Sequence, residues 1–284
     1  MKKLILALTA IALTGGSTLL TTGCGGSPKL TESQEYFMGR GVAAVTIEKD
    51  HLWTDEKLEE YVAKVGLTVA FESDRPETYK GYTFAILNSD SVNAFAGPSG
   101  FIFVTKGALR AMQNEDELAG VLAHEIAHVS LRHPEMAAQR ASDKEGLSDL
   151  AGAFTSLFSL GAQLTGRQKA ADLAKKAGPV FGKTVTGLAS EFANGYSRDE
   201  EFAADKTAVD FVTRAGVGYD PTAFKAFISR LPTGNTSAYG THPGLEGRIK
   251  AIDDEIAKLG AKVQPTDSAR TQRFLAMKAG LGGN

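Results

Sequence analysis

The sequence predicts an α+β fold that is predominantly helical and contains a small β-sheet. Short runs rich in Val, Thr, Phe and Ile lie between residues 67 and 104, and a Gly-Pro-Ser-Gly turn joins two of them. Nearly all of the chain after Thr105 has helical character. The composition is that of a globular protein, since 43% of the residues are hydrophobic and 31 Lys and Arg nearly balance 33 Asp and Glu.

This composition excludes several classes of protein. A disordered chain, a collagen-like repeat and a disulfide scaffold do not fit the mixture of apolar and charged residues. The net charge of −2 gives no general attraction to polyanions, and the sequence contains no basic cluster, so we expect no nucleic acid partner. The single cysteine, Cys24, cannot form a disulfide within the chain.

The N-terminus is typical of a secretory signal peptide. Lys2 and Lys3 precede the apolar run Leu4–Leu13, and small and hydroxyl residues follow it. The apolar run is shorter than the about 20 residues that a membrane-spanning helix needs. We therefore expect residues 1–23 to be a signal peptide that is removed by cleavage.

The expected cleavage site resembles a bacterial lipobox. Cleavage in Leu20-Thr21-Thr22-Gly23-Cys24 would leave Cys24 as a lipid-modified N-terminus, although Thr21 stands where a branched aliphatic residue is usual. An ordinary signal peptide with an incidental cysteine is the alternative. Gly25 is not the Asp associated with inner-membrane retention, so we expect a periplasmic lipoprotein anchored to the outer membrane. Residues 24–30 are interpreted as a flexible tether.

Helices are predicted first in the mature chain, followed by strands. The sequence from Glu32 to about Val65 has a helical pattern, with a plausible helix start at Thr54–Glu56. Gly66 is expected to end this helical segment. Leu67–Phe71 and Tyr82–Leu87 then have the composition of strands.

A pair of extended segments is predicted next. Asn93–Ala96 and Phe101–Val104 flank the turn residues Gly97–Gly100. We expect a domain over residues 31–262, followed by a C-terminal tail at 263–284 that is too short for a second domain.

Residues 137–190 are less informative. They are rich in Ala, Gly, Leu and Phe at first and more basic later, and several glycines interrupt them. The preferred interpretation is a helical hairpin that covers the core. A membrane-contacting or substrate-gating element is the alternative.

The motif His124-Glu125-Ile126-Ala127-His128 lies within the predicted helix Asn114–Arg132. Asn114 can cap this helix, and the three acidic residues after it suit the positive end of the helix dipole. His124 and His128 lie one turn apart on one side, so both imidazoles can bind one Zn²⁺. Glu125 is rotated by about 100° from His124, beside the metal, where it can take the proton from a zinc-bound water.

Other interpretations of these histidines exist. Two core histidines satisfied by hydrogen bonds could produce the motif, but a chance match would also have to fall on a capped amphipathic helix. For His133, which lies five residues after His128, a surface or packing role is preferred to a contact with the site.

A third ligand is expected, because catalytic zinc usually has three protein ligands. Glu201 and Asp205 stand at i and i+4 on a second predicted helix that ends near Ala215. One carboxylate could bind zinc while the other, a turn away, orients a ligand imidazole. Asp199 and Glu200 are interpreted as the solvated start of the same helix.

These motifs resemble those of the HtpX/Oma/BepA-type zinc metallopeptidases, a gluzincin family in which an H-E-x-x-H helix is followed by E-x-x-x-D. The resemblance extends from about Gln34 to Ile256, and the chain is most similar to compact periplasmic lipoprotein members without transmembrane helices or a repeat domain. The further segments that carry it are Asn93–Ala96, Gly100–Val104, Tyr196–Arg198 and Thr241–Pro243 with Arg248.

The resemblance implies a zincin-like metallopeptidase fold in which an edge strand borders the active-site cleft. It implies one Zn²⁺ per chain, with Glu125 as the catalytic base and Asp205 as a support of the ligand shell. The implied zinc ligands are His124, His128 and Glu201. The residues expected to hold an extended substrate by strand addition are Asn93, Ala94, Phe95 and Ala96.

The expected function is that of a membrane-anchored zinc endopeptidase that hydrolyses peptide bonds in unfolded or misassembled envelope proteins, with a zinc-bound water activated by Glu125. Its partners would be these polypeptides and the membrane that holds its lipid anchor. The alternative is a non-proteolytic periplasmic chaperone or assembly factor that binds outer-membrane proteins in the same cleft.

His242 has three interpretations. It could donate a hydrogen bond to the oxyanion of the reaction, or it could occupy the open position of zinc and keep the enzyme latent. The third interpretation is a loop histidine before Pro243 with neither role.

Overall fold

The computed structural model describes residues 30–144, 195–231, 245–264 and 267–282. Its elements are, in chain order, α1 (Glu32–Asp50), α2 (Glu56–Phe71), β1 (Thr83–Leu87), β2 (Ala94–Gly97), β3 (Phe101–Thr105), α3 (Lys106–Ala111), α4 (Glu115–Ser130), α5 (His133–Lys144), α6 (Arg198–Arg214), α7 (Ala223–Ser229), α8 (Leu245–Leu259) and α9 (Ser268–Lys278). Short 3₁₀ turns follow β2 and α9. The predicted α+β fold, mostly helical with a small sheet, is confirmed.

Several sequence predictions lie outside the described residues. They concern the signal peptide at 1–23, Cys24 and most of its tether, most of the 137–190 segment, and His242. These predictions stay predictions, as do the domain boundaries. Across the described ranges, none of the helices combines the length and the apolar character needed to cross a membrane.

In the part of the chain that the structure describes, the sheet has three strands in the order β1-β3-β2. β1 pairs with β3 in parallel, and β2 pairs with β3 antiparallel across the turn at Pro98–Gly100. The two extended segments predicted around this turn are therefore confirmed, and β2 lies at an edge of the sheet.

Helices cover both faces of the sheet. On one face, α1 packs through Ala43 and Ile47 against Phe95 and Phe103 of the strands. On the other face, strand residues such as Ala96 join the main core, which α2, α4, α6 and α7 also form. The helix α4 therefore lies in the centre of the molecule, directly against the edge strand.

The predicted strand Leu67–Phe71 is wrong, because α2 continues through it to Phe71. Gly66 does not end the helix but makes room for a neighbour: a Cβ there would lie 2.3 Å from Cε1 of Phe84. The buried stripe of α2 extends past this glycine to Val69, whereas Leu67 remains 49% exposed and Phe71 76% exposed. The alternating apolar residues of this segment therefore reflect a partly exposed helix end rather than a pleated strand.

The start of α4 agrees with the predicted cap. The Asn114 side chain accepts a hydrogen bond from the Glu117 N–H at 2.9 Å. The three acidic residues of the first turn are buried. Two of them pair with arginines of α9, and Glu117 pairs with Arg230, which directly follows α7. Gly120 allows α7 to approach, since a Cβ there would lie 2.6 Å from Cβ of Phe224. Helix capping, charge and a small residue together fix α4 among its neighbours.

Candidate metal centre and active site

Two histidines of α4 point to the same place. His124 and His128 are fully buried, and their Nε2 atoms lie 3.1 Å apart. Phe224 stacks on the His124 ring with ring centroids 5.0 Å apart, and Tyr196 stacks on the His128 ring at 4.1 Å. The flanking rings hold both imidazoles in fixed planes with their Nε2 atoms converging.

The helix α6 brings a carboxylate to this point. Glu201 is fully buried, and its two oxygens lie 3.5 Å from Nε2 of His124 and 3.6 Å from Nε2 of His128. Ligands that are about 2.0–2.1 Å from a tetrahedral zinc ion stand about 3.4 Å from one another. The three separations agree with this spacing, so the cluster His124, His128 and Glu201 could hold one divalent metal.

A carboxylate and a guanidinium lie against the cluster, and Nη1 of Arg248 is 3.5 Å from Oε2 of Glu201. Oδ1 of Asp205 lies 3.1 Å from Nδ1 of His124. Arg248 of α8 binds Asp205 with two donors, Nη2 to Oδ1 at 2.7 Å and Nε to Oδ2 at 2.9 Å. Burial raises the pKa of Asp205, but the charge of Arg248 outweighs it and lowers that pKa below its usual range. Asp205 is therefore an anion that can orient the His124 ring.

The charge balance around this point favours a cation. Among the described residues of the site, the carboxylates of Glu125, Glu201 and Asp205 are buried, and Glu201 and Asp205 both contact the one buried guanidinium, that of Arg248. Burial and Arg248 lower the pKa of His124, yet its hydrogen bonds with Asp205 and Glu201 raise the pKa to about 9 overall. The buried carboxylates outnumber the buried guanidinium. An excess of buried negative charge needs a partner or a metal, and a divalent cation would balance it.

Glu125 follows His124 directly on α4. Its side chain is fully buried, and one residue along α4 separates it by about 100° from His124. Burial and the charge of Glu125 raise the pKa of Tyr196 well above its usual value. Since the charge of Glu125 acts on Tyr196 and the Tyr196 ring stacks on His128, both side chains lie in one small volume next to the histidines.

The edge strand β2 borders this volume. The Thr105 N–H donates to the Asn93 carbonyl at 2.9 Å, and Phe95 pairs with Phe103. Because ladder pairing alternates along a strand, the backbone groups of Ala94 and Ala96 face the outer edge. Among the described residues, the predicted substrate-binding segment therefore lies on an edge strand, and Tyr196 links its outer side to the metal cluster, since it donates to the Ala96 carbonyl and stacks on His128.

His133 is part of the site, contrary to the preferred interpretation of the sequence. It is 5% exposed, and its Nδ1 lies 2.8 Å from Nδ1 of His128. Arg132 adopts a left-handed conformation with φ of 59°, which turns the chain at the end of α4 and brings His133 back beside His128. Burial lowers the pKa of His133 to about 4, so the ring is neutral at pH 7 and its Nδ1 can accept a hydrogen bond from the Nδ1–H of His128.

Glu200 was expected to be solvated, and this expectation is wrong. Its carboxylate accepts two hydrogen bonds from Arg140 and one from the Ser197 N–H, which closes a capping box at the start of α6. Asp199 is exposed, as expected. The sequence signal for Glu200 was the S-x-x-E pattern from Ser197.

Comparison with known proteins gives a family and several relatives. Residues 56–256 match the model of peptidase family M48. The relatives include a putative beta-barrel assembly-enhancing protease of Vibrio cholerae, 29% identical over 85% of this chain and 48% of its own length. They also include the metalloprotease YcaL of Escherichia coli, 32% identical over 64% of this chain and 63% of its own length. The mitochondrial metalloendopeptidase OMA1 of Schizosaccharomyces pombe is 27% identical over 64% of this chain and 49% of its own length.

The chain spans about half the length of the beta-barrel assembly-enhancing proteases it matches, 48% for that of Vibrio cholerae and 41% for that of Escherichia coli K12. The matched segment contains the histidines of α4, the acidic pair of α6 and Arg248. The similarity therefore includes all the described residues that meet at the metal cluster.

Proposed function

Because this chain belongs to peptidase family M48, we propose that it is a zinc-dependent endopeptidase that cleaves unfolded or misassembled polypeptides. The family predicted from the motifs is confirmed by the match. The observation that carries the proposal is the convergence of His124, His128 and Glu201 on one point at tetrahedral ligand spacing. In this proposal these three residues are the zinc ligands, with one zinc ion per chain.

Zinc held by these residues would supply a Lewis acid for the scissile carbonyl and for water. Glu125 accepts the proton of the attacking water and later delivers it to the leaving amine. Its burial beside the ligands supports this role, since the carboxylate needs no large movement to reach a reacting water. Asp205, held by two hydrogen bonds from Arg248, keeps His124 in the orientation that presents Nε2.

Substrate binding is assigned to the outer edge of β2, at residues Asn93, Ala94, Phe95 and Ala96. An extended polypeptide would add as a further strand, and its backbone would pair with the outward groups of Ala94 and Ala96. Such pairing depends on backbone atoms more than on side chains, and a folded protein rarely offers an unpaired strand. This supports unfolded segments as the substrates.

The cellular setting is also a proposal. Relatives are named beta-barrel assembly-enhancing proteases, and the N-terminus resembles a lipoprotein signal with Cys24 at its end. We place the protein in the periplasm, anchored by a lipid to the outer membrane, where misassembled envelope proteins would be its substrates. His242 stays a candidate for the oxyanion donor or for the latch on the metal.

Removal and return of the metal test the proposal. We expect the purified protein to contain one zinc per chain and to cleave a reduced, carboxymethylated protein. Cleavage should stop after dialysis against a chelator and return when one equivalent of zinc is added. Cleavage by the zinc-free protein would contradict the proposal. Binding of the unfolded protein without any cleavage by the zinc-loaded form would instead favour the chaperone alternative.

A further inference from the structure

The outer edge of β2 is already occupied by groups of the protein itself. The Tyr196 hydroxyl donates to the Ala96 carbonyl at 3.2 Å, and the Asn93 side chain accepts from the Ala94 N–H at 3.0 Å. Ala94 and Ala96 are the residues whose backbone faces outward. An extended substrate that pairs with this edge must therefore replace at least one hydrogen bond within the protein.

Tyr196 lies in the place where the substrate backbone is expected. Its side chain is 6% exposed, with the ring stacked on His128 and the hydroxyl on the edge strand. It bridges the strand and the metal cluster, so a polypeptide cannot contact both while this side chain keeps its position.

We propose that Tyr196 is a specificity-determining residue whose hydroxyl holds the Ala96 carbonyl until a substrate backbone N–H replaces it. This inference rests on the proposed function and deepens it, because it states what a substrate must offer. A chain that adds several backbone hydrogen bonds and buries side chains along the edge compensates for the lost tyrosine contact. A short peptide, or a folded protein without an unpaired strand, does not.

The local backbone permits this exchange by rotation of the side chain. Gly195, with φ of 83°, precedes Tyr196, whereas Ser197 after it is fixed by the capping box of α6. The ring is held by stacking, and the contact of its hydroxyl with the Ala96 carbonyl is 3.2 Å long, which exceeds the usual length of an O–H···O hydrogen bond. The hydroxyl therefore hinders strand pairing by other chains at this edge, while a substrate has to replace only one weak hydrogen bond.

The inference is tested by measuring substrate binding to a variant of the protein that cannot cleave. The probe is fluorescently labelled, reduced and carboxymethylated α-lactalbumin, and the host is zinc-loaded protein with Glu125→Gln. Removing a competing neutral hydrogen bond with Tyr196→Phe should lower the Kd of the probe by about twofold to tenfold. Tyr219→Phe is the matched control, since its buried hydroxyl contacts Glu115 at 3.3 Å, away from the cleft, and its Kd should equal that of the host.

The inference is overturned if Tyr196→Phe binds the probe as the host does or more weakly, because the hydroxyl then assists the substrate rather than competing with it. Melting temperature and zinc content show whether the variant is folded and loaded. If Tyr196→Phe does not fold, Tyr196→Leu decides in the same assay, again with tighter binding expected.

A kinetic measurement separates this inference from the proposed function. In the active protein, Tyr196→Phe should lower KM for the same probe without lowering kcat. An unchanged KM with a reduced kcat would assign the hydroxyl to chemistry and overturn the inference. Absence of cleavage by the wild-type protein would refute the peptidase, while the binding assay would still decide the role of Tyr196.

Discussion

Each histidine of the cluster uses its two ring nitrogens differently. Nε2 of both rings faces Glu201, whereas Nδ1 of His124 faces Asp205 at 3.1 Å and Nδ1 of His128 faces His133 at 2.8 Å. A metal-ligating histidine is normally oriented by a hydrogen bond at its other nitrogen. His133 therefore contacts Nδ1 of His128 in the way that Asp205 contacts Nδ1 of His124.

At this scale we predict that His133→Phe weakens zinc binding by about tenfold to a hundredfold, since the His128 ring loses the acceptor that fixes its tautomer. His133→Asn should restore most of the affinity, because its side-chain oxygen can accept the same hydrogen bond. Competition with a chromogenic chelator measures the Kd for zinc, and melting of the metal-free proteins controls for folding. Wild-type affinity in His133→Phe would show that His133 only fills space.

The residues of the H-E-x-x-H motif could be predicted because helical spacing is a local property. The acidic pair of α6 was predicted too, but the contacts that Arg248 and His133 make at the site were not. Arg248 contacts Asp205 across 43 positions of the chain, and His133 returns to His128 only through the left-handed Arg132. Neither the packing of α8 nor a positive φ at an arginine has a signal in the sequence pattern.

At the scale of elements, the helix α9 fixes the beginning of α4. Arg273 donates to Glu115 at 3.0 and 2.7 Å, and Arg270 pairs with Asp116. Phe274 is fully buried, with its ring beside Tyr61 of α2. This helix lies within the predicted tail at 263–284 and beyond the family match at 56–256, yet it packs on the helix that carries the site.

Phe274→Ala should therefore lower the free energy of unfolding by about 3–5 kcal/mol, because it removes a large buried ring and leaves a cavity. Leu275→Ala, at a neighbouring side chain that is 44% exposed, should change it by less than about 0.5 kcal/mol. Urea unfolding of the zinc-loaded proteins measures both values. Equal effects of the two substitutions would contradict the role assigned to α9.

The sequence predicted some elements well and others poorly for identifiable reasons. The turn at Pro98–Gly100 has strong local turn residues, so the β2–β3 pair was predicted. The end of α2 was not, since Gly66 is a break signal locally but a packing site for Phe84 in the folded protein. The parallel pairing of β1 with β3 depends on contacts distant in the chain, and no local pattern specifies it.

At the scale of the whole molecule, four elements meet at one buried point. The edge strand β2 is the proposed surface for an extended chain, α4 and α6 carry the candidate ligands, and α8 provides the arginine beside them. The sequence predicted the α+β class and the two histidine ligands from pattern and spacing, whereas the resemblance to a known family implied Glu201 as the third ligand. How the elements pack around the point is a tertiary property, and only the structure describes it.

The most direct test compares the wild-type protein with Glu125→Gln on an unfolded protein substrate, at equal and measured zinc content. Loss of the base should reduce kcat by at least about a hundredfold while zinc binding is retained. Glu246→Gln, at an exposed position of α8, is the matched control and should cleave at the wild-type rate. Equal cleavage rates for Glu125→Gln and the wild-type protein would contradict the assignment of this site as the centre of a zinc peptidase.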